Sequence, residues 1–242
     1  MAQPKGFVIY QGPSVLDGQP IVAIATMKTR NAKTGDMVQL WILREDVAPM
    51  AALDTKADAS ICGACPQRRS IGGACYVNVA QGPTSVWKAY KRGVYSTEWN
   101  PSTFTGKRIR LGAYGDPAAV PADILGALLE RAESWTGYTH QISHPNFQHE
   151  VLKWAVVSAD TPKQARKMHD QGLRTFRVKT PDAPIMQGEI ECLADSKGLS
   201  CAECGLCNGA TRNGASIVIN VHGALSGRYV NKYGNANLIT VA

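Results

Sequence analysis

The chain has 242 residues, 44% of them hydrophobic and 19% charged, which is long and apolar enough for a full hydrophobic core. No apolar run approaches the ~20 residues of a membrane helix, and residues 1–13 lack a signal-peptide pattern. These features argue against a membrane or secreted protein and predict a cytoplasmic location. A net charge of +7 favours an anionic partner such as nucleic acid or a nucleotide.

Residues 1–58 are predicted to form a β-rich N-terminal segment. Three stretches carry the β-branched and aromatic residues typical of strands, namely Phe7–Tyr10, Ile21–Thr26 and Met37–Leu43. A turn at residues 31–35 separates the last two stretches. Residues 45–58 are predicted to form a short helix and a linker.

All seven cysteines lie in two short loops, of which the first spans residues 59–82. Cys62, Cys65 and Cys75 follow one another at C-x2-C-x9-C spacing among Gly, Pro, Ser and Arg, a setting typical of metal ligands rather than core residues. No histidine close by in the sequence completes the set. Three thiolates leave one coordination position open, and an iron–sulfur cluster with a vacant iron could hold S-adenosylmethionine there.

Residues 83–190 alternate between strand and helix patterns, which predicts a parallel sheet with helices outside it. The predicted elements are a helix at 85–92, a strand at 107–111, an amphipathic helix at 121–135, strands at 136–142 and 152–157, a helix at 161–171 and a strand at 174–179. A complete eight-unit barrel needs roughly 250 residues. We therefore predict one α/β domain over residues 1–242, built as an abbreviated or open (β/α) barrel.

Ligands of such folds bind at the carboxyl ends of the strands, where this chain carries polar residues. Asp116, His140 and Asp160 are the candidate catalytic residues. Each aspartate also fits a turn or a helix cap, and a single histidine also fits a structural role. Three further side chains are candidates for binding an anionic cofactor, although the arginines also fit a solvated loop: Arg68, Arg69 and Tyr114.

The second cysteine loop spans residues 191–215 and carries Cys192, Cys201, Cys204 and Cys207. The C-x8-C-x2-C-x2-C spacing fits zinc or an iron–sulfur cluster, and the consecutive x2 intervals favour a ferredoxin-like cluster, of 4Fe-4S type. His222 could replace Cys192 as the fourth ligand, and the two loops could also share one structural site. Residues 216–242 are predicted to form terminal strands, beginning with Ser216–Val221.

The stretch from Trp87 to Arg110 interleaves six basic residues with five aromatic ones and contains one acidic residue, Glu98. Basic and aromatic side chains together suit phosphate contact and base stacking, so this stretch is a candidate nucleic-acid surface. The alternative is a solvated helix face above buried aromatic side chains.

Three motifs carry a resemblance to a known group of proteins: Cys62-Gly-Ala-Cys65-Pro66, Cys75-Tyr76, and the strand end Gly115-Asp116. Together they resemble a family of uncharacterised cysteine-rich bacteriophage proteins that is distantly similar to radical S-adenosylmethionine barrels. The resemblance covers roughly residues 60–222. It implies that the first three cysteines bind a cluster in a phage protein of the infected host's cytoplasm, although the radical family's own motif is C-x3-C-x2-C.

Two other functions stay open. Cys201, Cys204, Cys207 and His222 loosely resemble the zinc site of base-exchange transglycosylase barrels, in which Asp116 and Asp160 would be nucleophile and base. A non-enzymatic nucleic-acid-binding module, stapled by metal, is the third hypothesis. An enzyme should bring its strand-end polar residues together, whereas a binding module would leave them dispersed.

Overall fold

The computed structural model describes residues 4–29 and 31–238. The fold is mixed α/β and contains two five-stranded sheets. The first sheet has the order β1-β2-β3-β4-β5, with antiparallel pairs up to β3 and parallel pairs from there on. Its strands are β1 Gly6–Pro13, β2 Pro20–Thr26, β3 Val38–Arg44, β4 Arg108–Tyr114 and β5 Ser134–Thr136.

The second sheet has the order β6-β7-β8-β10-β9, and all of its strand pairs are parallel. Its strands are β6 Tyr138–Thr139, β7 Val156–Ala159, β8 Thr175–Lys179, β9 Glu189–Glu191 and β10 Ser216–Asn220. Only Gly137 separates β5 from β6, so one continuous segment supplies a strand to each sheet. A Cβ atom at Gly137 would lie 3.1 Å from the Trp154 carbonyl oxygen and 3.2 Å from Leu111, which leaves glycine the best-fitting residue.

Eight α-helices connect or cover these strands within the described ranges, and none of them is long and apolar enough to cross a membrane. They are α1 Pro49–Asp54, α2 Ala59–Cys62, α3 Gly82–Lys91, α4 Ala122–Leu129, α5 Pro162–His169, α6 Leu193–Ser196, α7 Cys201–Cys204 and α8 Ser226–Leu238. The main hydrophobic core includes residues of the first sheet and of α4, such as Ile24, Leu40 and Leu125, and extends to Val157 of β7 and Met168 of α5.

An ion pair is buried beside the second sheet. The Arg177 guanidinium donates to both carboxylate oxygens of Glu189, at 2.7 and 2.6 Å, and neither side chain is exposed to solvent. Arg177 also donates to the Asn237 side chain of α8 and to the Pro184 carbonyl. This pair therefore ties β8, β9 and the C-terminal helix together.

The predicted helix at 121–135 is too long, because α4 ends at Leu129 and Trp135 lies in β5. The apolar spacing continues the helical period as far as Trp135. However, residues 134–136 pair in parallel with β4, and tertiary pairing of this kind overrides a local pattern. The strand predicted at 136–142 is likewise split at Gly137 and ends at Thr139, and residues 149–153 form a 3-10 turn before β7.

The prediction of terminal strands holds for β10 but is wrong for the residues after it, which form α8. Tyr229, Tyr233 and Asn237 recur every four residues, so that one helical face turns inward. Residues 239–242 of the predicted segment lie outside the described residues. The helix predicted at 85–92 begins earlier, at Gly82, and the short strand β9 was not predicted.

Candidate functional site

The carboxyl ends of β4, β6 and β7 bring the predicted catalytic residues together beside the first cysteine loop. His140 follows β6 and Asp160 follows β7, and the His140 Nε2 atom lies 3.6 Å from Asp160 Oδ2. Gln67 in the cysteine loop donates from Nε2 to Asp160 Oδ1 at 2.8 Å. The strand-end residues thus converge on the loop rather than disperse.

Asp116 and Gln141 hold this arrangement in place. Asp116 accepts hydrogen bonds from the backbone N–H groups of Ala118 at 3.0 Å and His140 at 2.8 Å. Gln141 is fully buried and donates to Asp116 at 3.2 Å and to the Cys62 carbonyl at 2.9 Å. Gly63 has a φ of 51°, and a Cβ there would stand 2.1 Å from Gln141 Oε1, so the contact requires glycine.

Cys62, Cys65 and Cys75, which we call the first thiol group, lie near one another at this site. Burial raises the pKa of Cys62, and the neighbouring thiols of Cys65 and Cys75 raise that pKa further. Burial would lower the pKa of His140, but Cys65 and Asp160 outweigh it and raise that pKa well above its usual value. The neighbouring Cys65 and Asp160 therefore favour the charged form of the imidazole.

Three buried polar atoms in or beside the first cysteine loop have no hydrogen-bond partner among the described residues: Arg68 Nε, the Tyr114 hydroxyl and His140 Nε2. Burial and the nearby Cys62 and Asp58 raise the pKa of Tyr114, so its hydroxyl keeps its proton and remains a donor. Unsatisfied buried groups are costly, and a bound ligand is one way in which proteins satisfy them.

The two arginines of the first loop have different surroundings. Arg68 forms an ion pair with Asp58 at 3.3 Å and donates to the Gly63 carbonyl at 2.6 Å, so it holds the loop itself. Arg69 donates from Nε to the Cys75 carbonyl at 3.0 Å and acts electrostatically on both Cys75 and Tyr114. Of the two, Arg69 is the better placed to meet an anion at the thiols.

Cys192, Cys201, Cys204 and Cys207, which we call the second thiol group, all line one small cavity of about 20 Å³. Tyr138 and Thr136 of the shared strand segment complete its wall, and the buried Thr136 Oγ1 has no hydrogen-bond partner within residues 4–29 and 31–238. Burial raises the pKa of Cys207 to about 12, and the other three thiols add to the rise even though Tyr138 hydrogen-bonds to its sulfur.

The second loop is anchored by its backbone. Ser200 and Glu203 cap α7 reciprocally, and the Cys201 N–H donates to the Lys33 carbonyl at 2.9 Å. The Gly137 N–H donates to the Cys207 carbonyl at 2.9 Å, so the loop is fixed to the segment shared by both sheets. The second thiol group is therefore held on a rigid part of the fold.

Arg110 interacts with residues of both cysteine loops, namely Tyr76 of the first and Cys201 of the second. Its side chain is buried, donates to the Tyr76 hydroxyl at 2.6 Å, and has no partner for Nε in the part of the chain that the structure describes. Burial would lower the pKa of Arg110, but Tyr76, Tyr138 and Cys201 outweigh it and raise that pKa. No sequence pattern distinguishes this arginine from its exposed neighbours.

The seven cysteines are free thiols, and each thiol group interacts electrostatically within itself. His222 does not line the cavity of the second group. It packs on the Tyr76 ring instead, with centroids 5.4 Å apart. Among residues 4–29 and 31–238, no group of three or more His, Cys, Asp or Glu side chains has an arrangement that could hold a metal ion.

The aromatic side chains of the stretch from Trp87 to Arg110 contact the protein itself. Trp87 donates to the Arg44 carbonyl, Tyr90 donates to Glu45, and Trp99 packs edge-on against Phe104. Four exposed cations remain in this stretch, namely Lys88, Lys91, Arg92 and Lys107. The surface thus offers phosphate contacts more readily than stacking platforms.

Comparison with protein-family models, with curated proteins and with solved structures gave no significant match. The geometry of the two thiol groups is therefore the basis for the function proposed below.

Proposed function

We propose that this protein is an iron–sulfur enzyme of the radical S-adenosylmethionine-like type, which acts on a nucleic acid or a nucleotide in the cytoplasm of a phage-infected cell. The observation that carries the proposal is the convergence of the first thiol group with Tyr114, His140 and Asp160 at the carboxyl ends of parallel strands. Open α/β sheets bind their ligands at that edge. Such convergence favours an enzyme over a binding module with dispersed polar residues.

The fold that we propose for this enzyme is an abbreviated, open barrel. Parallel pairing runs from β3 through β4 to β5, continues past Gly137 into β6, and proceeds through β7, β8 and β10 to β9. A barrel of this kind gathers the carboxyl ends of its strands at one mouth, which is where the first cysteine loop lies.

Different residues at the first thiol group would bind the ligand, donate a proton and hold the cluster. Arg69 and the unpartnered Tyr114 hydroxyl can donate to a carboxylate or phosphate of the ligand. His140, whose protonated form is favoured by the Asp160 carboxylate 3.6 Å away, can give a proton to a substrate. A cluster bound by the three thiols would supply electron transfer.

The second thiol group is proposed to bind a structural metal, and one observation favours zinc there. Its cavity of about 20 Å³ is close to the size of a single water or ion and is smaller than a cubane would need. Four thiolates at x2 intervals satisfy tetrahedral zinc. The thiols would have to rotate inward upon loading.

The transglycosylase alternative receives less support. Its presumed nucleophile, Asp116, already accepts hydrogen bonds from two backbone N–H groups and from Gln141. A carboxylate with three donors is a weaker nucleophile than a free one, because each hydrogen bond stabilises its charge. The same contacts suit a residue that positions His140.

Anaerobic reconstitution with iron and sulfide is expected to give a coloured protein, because thiolate-bound iron absorbs visible light whereas zinc does not. Adding S-adenosylmethionine should change the electron paramagnetic resonance signal of the reduced cluster. Cys75→Ala should abolish this response but leave the metal of the second thiol group in place, and Ile71→Ala, at an exposed position of the same loop, serves as the control.

A colourless protein that contains zinc alone after reconstitution would exclude the iron–sulfur proposal. A coloured protein whose spectrum does not respond to S-adenosylmethionine would retain the cluster but exclude that cofactor.

If Lys91 and Arg92 contact phosphates, the logarithm of the binding constant for nucleic acid is expected to fall linearly with the logarithm of the salt concentration. Lys91→Ala/Arg92→Ala should reduce the slope by about two counterions, because each phosphate contact releases roughly one ion. The double variant Lys163→Ala/Lys167→Ala removes the same charge from exposed positions of α5 and should leave the slope nearly unchanged. Fluorescence anisotropy with a labelled oligonucleotide measures both, and a lack of binding at low salt would remove nucleic acid as a partner.

A further inference from the structure

We infer that a nucleotide binds beside the segment Gly73–Tyr76, with its phosphate on the arginines around this segment and its base on the exposed rings of Tyr76 and His222. The inference rests on the proposed function, for which it names the substrate class and a substrate site next to the first thiol group. It assigns phosphate-binding roles to Arg110 and Arg228.

Three arginines from different parts of the chain donate to this segment. They are Arg69 on the Cys75 carbonyl at 3.0 Å, Arg110 of β4 on the Tyr76 hydroxyl at 2.6 Å, and Arg228 of α8 on the Gly73 carbonyl at 3.4 Å. All three acceptors are carbonyl or hydroxyl oxygens rather than carboxylates. None of these arginines forms an ion pair within the described ranges. Three guanidinium groups are therefore gathered without a counterion.

Arg110 has the strongest need for an anion, because its side chain is buried. Its guanidinium makes one hydrogen bond within residues 4–29 and 31–238, to Tyr76, and its buried Nε–H has no partner there. A buried charge that lacks a counterion is costly. A phosphate oxygen would supply both the missing charge and an acceptor, and guanidinium groups match phosphate geometry well.

The Tyr76 hydroxyl gives a ligand a route to this buried charge. It accepts the hydrogen bond from Arg110, so its own proton is free to be donated outward. The Tyr76 side chain is 52% exposed. A phosphate that approaches from solvent can therefore bind the hydroxyl and the guanidinium behind it together.

The rings of Tyr76 and His222 form an exposed surface for a base. Their centroids lie 5.4 Å apart, with the planes 36° apart, and both residues are exposed. Tyr76 is fixed at its hydroxyl by Arg110 and packs closely against Gly223, where a Cβ would stand 3.1 Å from the Tyr76 Cβ. His222 Nδ1 lies 3.1 Å from the Asn220 carbonyl oxygen. Exposed aromatic rings held in this way suit base stacking.

The position of these rings connects the nucleotide site with the rest of the candidate site. Tyr76 directly follows Cys75 of the first thiol group, and His222 follows the carboxyl end of β10. Arg110 of the first sheet and His222 beyond the second sheet meet at the same tyrosine. One pair of rings accommodates one base, which favours a single nucleotide over a long strand.

The main competing role for Arg110 is to offset the charge of the second thiol group, since Cys201 acts on it electrostatically. That role leaves Arg228 and the exposed rings unexplained, because they contact the first cysteine loop. A nucleotide accounts for all of these contacts with one ligand.

Isothermal titration calorimetry of the full chain, with no added iron or S-adenosylmethionine, tests the inference with inorganic phosphate, adenosine and adenosine monophosphate. Adenosine serves as the probe because stacking tolerates any base. The monophosphate should bind most tightly, since it alone offers both a phosphate and a base. Arg228→Ala should weaken the binding of phosphate and of monophosphate by about 10-fold or more, as loss of a charge-assisted hydrogen bond does. His222→Ala should weaken monophosphate binding by about 5–100-fold and leave phosphate binding unchanged.

Arg131→Ala is the matched control, because it removes the same charge from an exposed position ahead of β5 and should leave all affinities unchanged. Arg228 and His222 are also exposed, so these variants should keep the melting curve of the unaltered protein. Displacement of a labelled oligonucleotide by the monophosphate would assign the bound nucleotide to a strand, whereas binding without displacement would assign it to a free nucleotide.

Three results would each overturn the inference. They are monophosphate binding no tighter than that of inorganic phosphate, unchanged binding by Arg228→Ala, and an equal loss of phosphate and monophosphate binding by His222→Ala. The iron–sulfur proposal fails on a different observation, the colourless protein after reconstitution, so the two failures are distinguishable.

Discussion

Cys204→Ser is expected to give insoluble protein or protein depleted of the metal of the second thiol group. The unfolded chain has no preformed site, so binding free energy at such a site, about 10–16 kcal/mol for structural zinc, contributes directly to folding. Losing even ~4 kcal/mol of it should lower the melting temperature by roughly 8–16 °C for a chain of this size. Metal analysis and differential scanning calorimetry measure the two effects.

Lys197→Ala is the matched control, because Lys197 is exposed in the same loop and lines no part of the cavity. It should keep both the metal and the melting curve. If Cys204→Ser remained folded with an unchanged melting curve, the second thiol group would not be a structural metal site.

Glu189→Gln is expected to destabilise the protein by about 3–5 kcal/mol, since it leaves the buried Arg177 charge without a counterion. Both side chains are fully buried, and Glu189 Oε2 also accepts the Met186 N–H at 2.9 Å. Urea unfolding at neutral pH measures the change in the free energy of unfolding. Glu133→Gln breaks the partly exposed pair with Arg108 and should have little effect, because surface ion pairs stabilise weakly.

A double variant separates loss of the pair from the cost of a buried charge. Arg177→Met/Glu189→Leu removes both charges and should be much more stable than Glu189→Gln, since apolar replacements of buried pairs are often neutral. A double variant as unstable as the single one would show that the hydrogen bonds to Pro184 and Asn237 matter more than the charge.

The convergence of the site could be predicted because it depends on topology. Parallel strands gather their carboxyl ends at one edge, so Tyr114, Asp116, His140 and Asp160 could be assigned to one site from strand–helix alternation alone. Spacing likewise separated the cysteines into two groups. The predicted roles of these residues in metal binding and catalysis stay predictions.

Residues that act by supporting others could not be found in this way. Gln141 and Gln67 have no motif, and their contacts depend on how the loop is seated against the strand ends. Arg110 follows the basic residues Lys107 and Arg108 in the sequence, and only its burial in the structure distinguishes it from them. The helix α8 was missed because its inward face is formed by tyrosine and asparagine rather than by aliphatic residues.

The segment from Ser134 to Thr139 has a consequence for folding cooperativity. The segment supplies β5 to the first sheet and β6 to the second. If either strand separates from its sheet, the backbone of the other strand must move with it. The Gly137 N–H also binds the second cysteine loop, which joins a third part of the chain to the same few residues. Opening of this segment should therefore cost the same free energy as global unfolding, so that the two sheets unfold as a single cooperative unit.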